Sequence, residues 1–350
     1  MPASVVDIGQ GSDENTVHEN SGDQPNATSD GVSIDATEAW RSALEYVLHL
    51  CSGPDRPDSF GRHLLAKGTA CRDMDICLDK QHMDITDDVT WQLIVDDIMS
   101  GKVVGAQMDP QCSTFSAVRG LAGGPRPLRT PRGKGIYGIK RGLTDKQQEQ
   151  VKHDNLLATR IARVAEMLHD RGLPFIIENP ERRPGKVSIF SLPVYKKLAA
   201  RSNVHFHDFR QCNMGSYSEK PTTLLFHLAK IDDESFPKQC RHHPRWWRFT
   251  SGEWFHRRHP VLRGKRRAVP AEDWTKELMN EKATDYITKR SSRYTGELNR
   301  RLAEAMHEGI CASRRGHLHR RLTEVRQGVK RSSINIPGPR EVEQDCPIKE

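Results

Sequence analysis

Cys112 lies in the run Val104-Gly105-Ala106-Gln107-Met108-Asp109-Pro110-Gln111-Cys112-Ser113-Thr114-Phe115-Ser116, where a short apolar stretch breaks into a polar turn. A second apolar run, Leu173-Pro174-Phe175-Ile176-Ile177, breaks in the same manner at Glu178-Asn179-Pro180. A thiol and a carboxyl on neighbouring loops suit nucleophilic attack on a pyrimidine ring: the thiolate adds to carbon while the acid donates to a ring nitrogen. Burial can keep a carboxyl such as Glu178 partly protonated for that purpose. The hydroxyls of Ser113, Thr114 and Ser116, and the basic stretch from Arg119, predict a lowered thiol pKa at Cys112. A buried, inert cysteine and a water-facing strand-end acid are the plainer readings of the same residues.

Further acids and a turn follow the same logic. Tyr46 to Leu50 runs into Cys51-Ser52-Gly53-Pro54, the kind of turn in which α/β folds cradle a cofactor. Asp75 ends the next apolar segment, and Asp84-Ile85 lies in a short third element around His82. A carboxylate after the second strand suits a ribose hydroxyl pair, and one after the third suits an adenine amino group. Helix caps and turn formers are the alternative for both. No GxGxxG run is present, which argues against a nicotinamide cofactor.

Such residues need a scaffold that brings strand ends to one edge. Between about 40 and 310 strand-like and helix-like segments alternate, which predicts a parallel sheet with crossover helices. Strands are expected over Tyr46 to Leu50, Ala70 to Met74, Val103 to Met108, Leu173 to Ile177, Val204 to Phe209 and Thr222 to Phe226. Helices are expected over Arg62 to Lys67, Asp88 to Met99 and Asp145 to Asp170. From Gly120 to about Thr144 the chain is rich in Gly, Pro and Arg and reads as a long functional loop.

The 350 residues carry a net charge of +8, with 54 Lys and Arg, and a pI near 9.1. That balance favours a polyanionic partner. The loop side chains Arg119, Arg126, Arg129 and Arg132 suit phosphates. A second basic segment, about 228 to 270, interleaves cations with aromatics, Arg245 and Trp247 among them, which suits base stacking. Residues 1 to 36 hold no Lys or Arg and read as a disordered acidic tail; 313 to 350 read as a basic disordered tail.

The eight cysteines are scattered without a CxxC, which implies reduced thiols rather than a disulfide framework. No apolar run approaches the roughly 20 residues that cross a bilayer, so an intracellular protein without membrane association is expected, nuclear in a eukaryote and cytoplasmic otherwise. Cys212, Cys240, His242, His243, His256 and His259 have loose spacing. Cys240-x-His242 with His256-x-x-His259 could hold zinc, against the alternative of surface or DNA-facing side chains, and no metal is assigned.

The order of these motifs resembles the cytosine-C5 DNA methyltransferases of the class I S-adenosylmethionine-dependent fold. Cys112 with Phe115-Ser116 is similar to the family's nucleophile motif, and Glu178-Asn179 to its Glu-Asn motif. A compact, divergent branch is more similar still, through Cys112-Ser113-Thr114-Phe115-Ser116, Arg119-Gly120, Pro125-Arg126-Pro127-Leu128-Arg129, Gln211-Cys212, Gly215 and Lys220-Pro221-Thr222. The resemblance covers roughly 45 to 305. Gln111 replaces the family's proline before the nucleophile, the Gln-x-Arg-x-Arg segment is absent with Lys220 in a comparable place, and Tyr294 to Asn299 loosely resembles the closing motif.

The resemblance implies an α/β, Rossmann-like class I methyltransferase sheet with helices on both faces, a small inserted recognition segment and disordered termini. It implies a monomer that binds S-adenosylmethionine through Ser52, Gly53, Asp75, Asp84, Ile85 and Pro110. Catalysis would fall to Cys112, Glu178, Asn179 and Lys220, methylating cytosine C5 on a flipped base in DNA. RNA, tRNA included, is the rival substrate. A catalytically dead nucleic-acid-binding protein on the same fold is the rival class, to which Gln111 and the missing arginine motif point. An amino-methyltransferase is disfavoured, because Gln111-Cys112 breaks the Asp-Pro-Pro-aromatic pattern it needs.

Overall fold

The computed structural model describes residues 44–120, 125–216, 218–249, 254–260, 268–270 and 294–333. Its centre is a six-stranded sheet of β1 (Tyr46–Leu50), β2 (Ala70–Met74), β3 (Val103–Met108), β4 (Phe175–Pro180), β5 (Val204–Arg210) and β6 (Pro221–His227). The order across the sheet is β2-β1-β3-β4-β6-β5. Pairs among β1 to β4 are parallel, whereas β6 runs antiparallel to both β4 and β5. The chain leaves β1 for β2 on one side and returns to β3 on the other, so a crevice opens where those strands end.

Period-2 alternation assigns each strand residue to one of two cores. Leu48, Leu50, Ala106, Met108, Phe175 and Ile177 face α2 (Asp88–Met99), α3 (Asp145–Asp170) and α4 (Pro193–Ala199). Val47, Val104, Ile176, Leu224 and Phe226 face α1 (Phe60–Leu65) and α5 (Gly296–Ser333). Both faces are covered, which is why β1 and β3 are buried along their whole length. Gly105 lets α5 approach β3: a Cβ there would lie 2.9 Å from Met306 Sδ and 3.1 Å from the Pro174 carbonyl. α2 and α3 start on side-chain caps. Asp87 accepts from the Thr90 amide, and Thr144 forms a capping box with Gln147.

A second, three-stranded antiparallel sheet lies within the basic segment, in the order β8-β7-β9, from β7 (Arg245–Phe249), β8 (Trp254–Arg257) and β9 (Ala268–Pro270).

The α/β sheet with helices on both faces is as the sequence implies, and five strands or helices have the expected bounds. β6 runs antiparallel where a parallel sheet was expected, the first helix and β4 are offset by two to three residues, and two further stretches differ in kind or extent. The stretch around His82 to Ile85 is turn rather than strand, because its acids bond their own backbone. Asp79 Oδ1 accepts from the amides of Gln81 and His82, and Asp84 Oδ1 from the amide and hydroxyl of Thr86. The closing helix α5 continues through Ser333, well into the segment expected as a disordered tail, on a run rich in the helix former Arg. The acidic tail, 1 to 36, lies outside the described residues.

Candidate active site

The parallel register brings the chemical groups together. Met108 pairs with Leu50 on one side and Ile177 on the other, so Asp109 and Glu178 emerge next to each other at the same sheet edge. The antiparallel β6 begins at that edge, with Thr222 opposite Pro180, which delivers Lys220 to it. Lys220 holds φ +32°, a left-handed conformation that a side chain tolerates poorly, and its ammonium sits 4.9 Å from the ring centre of Tyr294.

Glu178 is buried, and burial raises its carboxyl pKa, opposed by the Lys220 charge and reinforced by Asp109. Its Oε1 accepts a 3.3 Å hydrogen bond from Gln211 Nε2, and it is bonded to the Tyr294 hydroxyl, which also meets Asp109. Cys112 is half-buried, and its thiol is pushed up to about 11 by burial and then by the Glu178 charge, with Lys220 pulling the other way. This reverses the lowered pKa expected from basic neighbours: the cations of the following loop do not reach the thiol strongly enough to offset its burial. Asn179 Nδ2 donates to the Pro110 carbonyl at 3.0 Å and so ties the end of β4 to the Cys112 loop.

The hydroxyls after Cys112 face inward. Ser113 Oγ donates to Asp154 Oδ2 at 2.8 Å, and the Thr114 amide and hydroxyl bond the same oxygen. Arg129, expected to meet phosphates, is instead 2 % exposed. Its guanidinium donates to Thr114 Oγ1, the Ile136 carbonyl, Asn155 Oδ1 and the Val151 carbonyl, and stacks 3.7 Å over Phe115. All five donors of the fork are used internally, and burial lowers its pKa to about 10. Arg119 is also turned inward in part, donating to the carbonyls of Ser113 and Arg126. Arg126 and Arg132 are exposed.

At the end of β1 the turn residue Gly53 has φ +75°, and no atom lies within 4 Å of where a Cβ would stand. Its amide donates to Asp75 Oδ2 at 3.0 Å, and Ser52 Oγ donates to the Gly53 carbonyl. The Cys51 thiol is pushed up first by its desolvation and then by the charges of Asp75, Asp109 and Asp84. Ile85 is buried, its carbonyl held by Arg160 at 2.8 Å. The turn, its open side at Gly53 and the acid Asp75 bonded to it fit a cationic, hydroxyl-bearing nucleoside.

His49 was invisible as a functional candidate. It is buried in β1, with Nδ1 2.6 Å from Asp73 Oδ1 and Nε2 3.0 Å from Asp109 Oδ2. Burial depresses its pKa, but the hydrogen bonds and charges of Asp109 and Asp73 outweigh this and raise it to about 9. The available signal was a lone histidine in an apolar strand flanked by strands that carry acids. Asp154, on a helix read only for its apolar stripe, gave no signal.

In the three-stranded sheet Trp247 is fully buried, its indole N–H donating to the Arg257 carbonyl at 2.9 Å. That corrects its expected role as a base-stacking surface residue. Trp246 and Trp254 are the exposed rings, at 56 % and 50 %, and exposed Arg245 stacks 4.5 Å over the Trp247 ring. No helix among the described residues is long and apolar enough to cross a membrane.

No family model matches the chain. No curated protein matches it either. Among solved structures it is similar to a candidate DNA modification methyltransferase encoded within an E. coli prophage, at 15 % identity and a TM-score of 0.28, over 56 % of this chain and 51 % of that one. The chain thus spans about half the length of that structure, and a likeness of this size carries no weight beside the strand order itself.

Proposed function

We propose that this chain methylates C5 of cytosine in nucleic acid, DNA first, with Cys112 as nucleophile and Glu178 as acid. The observation that supports this reading is the pairing of a half-buried thiol with a buried carboxyl of raised pKa beside one ammonium, on adjacent strand ends. Cys112 and Glu178 oppose each other's charge, so a single negative charge is favoured next to Lys220. The useful arrangement places that charge on sulfur and the proton on Glu178. The Cys112 thiolate then adds to C6 of the base while Glu178 donates its proton to N3, which makes C5 nucleophilic. Loss of the C5 proton after methylation expels the thiol and restores Cys112.

Ser52, Gly53, Asp75, Asp84, Ile85 and Pro110 would hold S-adenosylmethionine, which when bound would supply the electrophilic methyl group. The pyrimidine must leave the base stack to reach Cys112. Asn179 holds the loop through Pro110, and the Thr114–Asp154–Arg129 network holds it from the other side. These are positioning contacts rather than contacts with the base.

A specific observation favours the rival, non-catalytic reading: Gln111, exposed before Cys112, lacks the fixed dihedral of proline, and the resting thiol is mostly protonated. Trapping separates the readings. Duplex DNA containing 5-fluorocytosine is incubated with the protein and S-adenosylmethionine, alongside Cys112→Ala. Fluorine blocks the final elimination, so a denaturation-stable adduct that requires Cys112 is expected. Absence of adduct on DNA and on the equivalent RNA would sink the catalytic reading, and an adduct on RNA alone would move the substrate.

A further inference from the structure

We propose that Cys212, Cys240, His242 and His259 form a structural zinc site that fastens the three-stranded sheet to the turn after β5. One ligand atom from each of these four residues lies within 4.8 Å of every other. Cys240 Sγ is 3.5 Å from His242 Nδ1 and 3.3 Å from His259 Nε2. With Zn–S near 2.3 Å and Zn–N near 2.05 Å, the S–N edge of a zinc tetrahedron is ~3.6 Å. Two thiols and two imidazoles are a frequent structural zinc set, and neither thiol is in a disulfide.

The four ligands come from three separate places; Cys240, His242 and His259 belong to the zinc set that the sequence offered, and Cys212 to the same loose cluster. Cys212 is buried in the short helical turn Gln211–Met214. Cys240 and His242 follow on the connection toward β7, and His259 follows β8. His256, the partner suggested by the sequence, is instead tilted on Trp246 at 5.1 Å. Protein contacts assemble the set beforehand. Asn213 Nδ2 donates to the carbonyls of Pro237 and Gln239, and Asn213 Oδ1 accepts from the Arg241 amide. Arg258 donates to the Cys240 carbonyl, and the rings of His242 and His259 meet edge to face at 5.0 Å.

Four protein ligands close the coordination sphere, so the metal is structural and activates no water. Its position has a consequence for the candidate active site. Gln211, next to Cys212, donates to both Glu178 and Thr222. The metal would therefore fix the turn that holds Gln211 against Glu178, as well as the sheet that exposes Trp246 and Trp254. The site stands on its own geometry and holds whether or not the chain methylates nucleic acid.

The test is metal analysis of the tag-free, full-length protein prepared without chelator, beside Cys212→Ser, His259→Ala and the control Cys77→Ser. Elemental analysis is expected to find about one zinc per chain in wild type and control, and a large loss in the two ligand variants. Exchange for cobalt in the wild type is expected to give tetrahedral d–d bands and a thiolate charge-transfer band, a result independent of whether the variants fold. Three results would overturn the site: wild type that stays metal-free after incubation with zinc, a Cys212–Cys240 disulfide by mass spectrometry of the fresh protein, or stoichiometric zinc retained in both ligand variants.

Discussion

The loop after β3 and the three-stranded sheet are both written in polar and cationic residues, yet they spend them in opposite directions. In the loop, Ser113 and Thr114 point inward onto Asp154 and Arg129 onto Thr114, and their hydrogen bonds close a buried network behind Cys112. In the sheet, one tryptophan, Trp247, is buried as the anchor, while Trp246, Trp254 and most of the cations face outward. Alternation explains the second case, since neighbours on a strand point to opposite faces. The first has no periodic rule, because a single buried carboxylate on α3 recruits whatever donors the loop carries. Charge in a sequence therefore marks a partner only after burial has divided it.

The division can be broken first where the effect is greatest. Cys112→Ala is expected to remove methyl transfer outright, and Glu178→Gln to lower its rate by roughly 10²–10⁴-fold, with both variants folded as the wild type. Incorporation of labelled methyl groups into DNA, with circular dichroism beside it, measures this. If Cys112→Ala keeps its rate, the inward-facing network would be guarding no nucleophile and the comparison between the regions would lose its functional half.

Stability separates the buried members of each region from the exposed ones. Arg129→Met removes the donors to Thr114 Oγ1, Asn155 Oδ1 and the Ile136 and Val151 carbonyls and is expected to cost about 3 kcal/mol in urea unfolding. Trp247→Ala opens a cavity under the second sheet and is expected to cost about 3–5 kcal/mol, confined to the unfolding of that sheet. Trp246→Ala and Trp254→Ala should change stability by less than about 0.5 kcal/mol. An Arg129→Met protein of wild-type stability with weakened nucleic-acid binding would return Arg129 to the role the sequence suggested.

How far the sequence could be read follows the same physics. β1, β2, β3, α2 and α3 carry local signals, namely apolar runs or 3.6-residue periodicity bounded by caps, and their bounds are as expected. The meeting of Cys112 and Glu178 needed only the parallel order of β1, β3 and β4, which the alternation of elements implies; Lys220 joins them because β6 runs antiparallel, which it does not imply. The contacts of Arg129, Asp154 and His49 depend on which residues face each other across the core, and no local pattern encodes that. Asp84 shows the reverse failure: a good ligand type in the right place was read as ending a strand, whereas its own side chain makes the turn.

The buried charge at the sheet edge also predicts a pH response that the three-stranded sheet should not share. His49 titrates near 9 in the fold, above its ordinary 6.5, because Asp73 and Asp109 hold the imidazolium. A raised pKa contributes stability fully below about pH 6.5, and that contribution is lost as pH rises through about 9. The urea midpoint is therefore expected to fall between pH 6.5 and 9, and Asp109→Asn should flatten the fall. A midpoint that stays constant over this range in the wild type would mean that His49 is neutral between its two acids, and the strand ends would then hold no buried cation.

The smallest effects belong to the cations that remain exposed. Arg126 donates to the Gly142 carbonyl but its side chain stays exposed, as does that of Arg132, so both can reach a phosphate at little cost. Each phosphate contact releases counterions, so the logarithm of affinity falls against that of salt with a slope set by the number of contacts. Arg126→Ala and Arg132→Ala are each expected to lower that slope by about one, weakening binding evenly across sequences. Trp246→Ala and Trp254→Ala should instead leave the slope alone and cost about 1–3 kcal/mol per lost base stack on single-stranded substrate. Fluorescence anisotropy over a salt series distinguishes the two. A slope that survives both arginine substitutions would shift the phosphate track to the three-stranded sheet, where Arg245 and Arg248 lie beside the aromatic rings, and would leave the loop after β3 as scaffold alone.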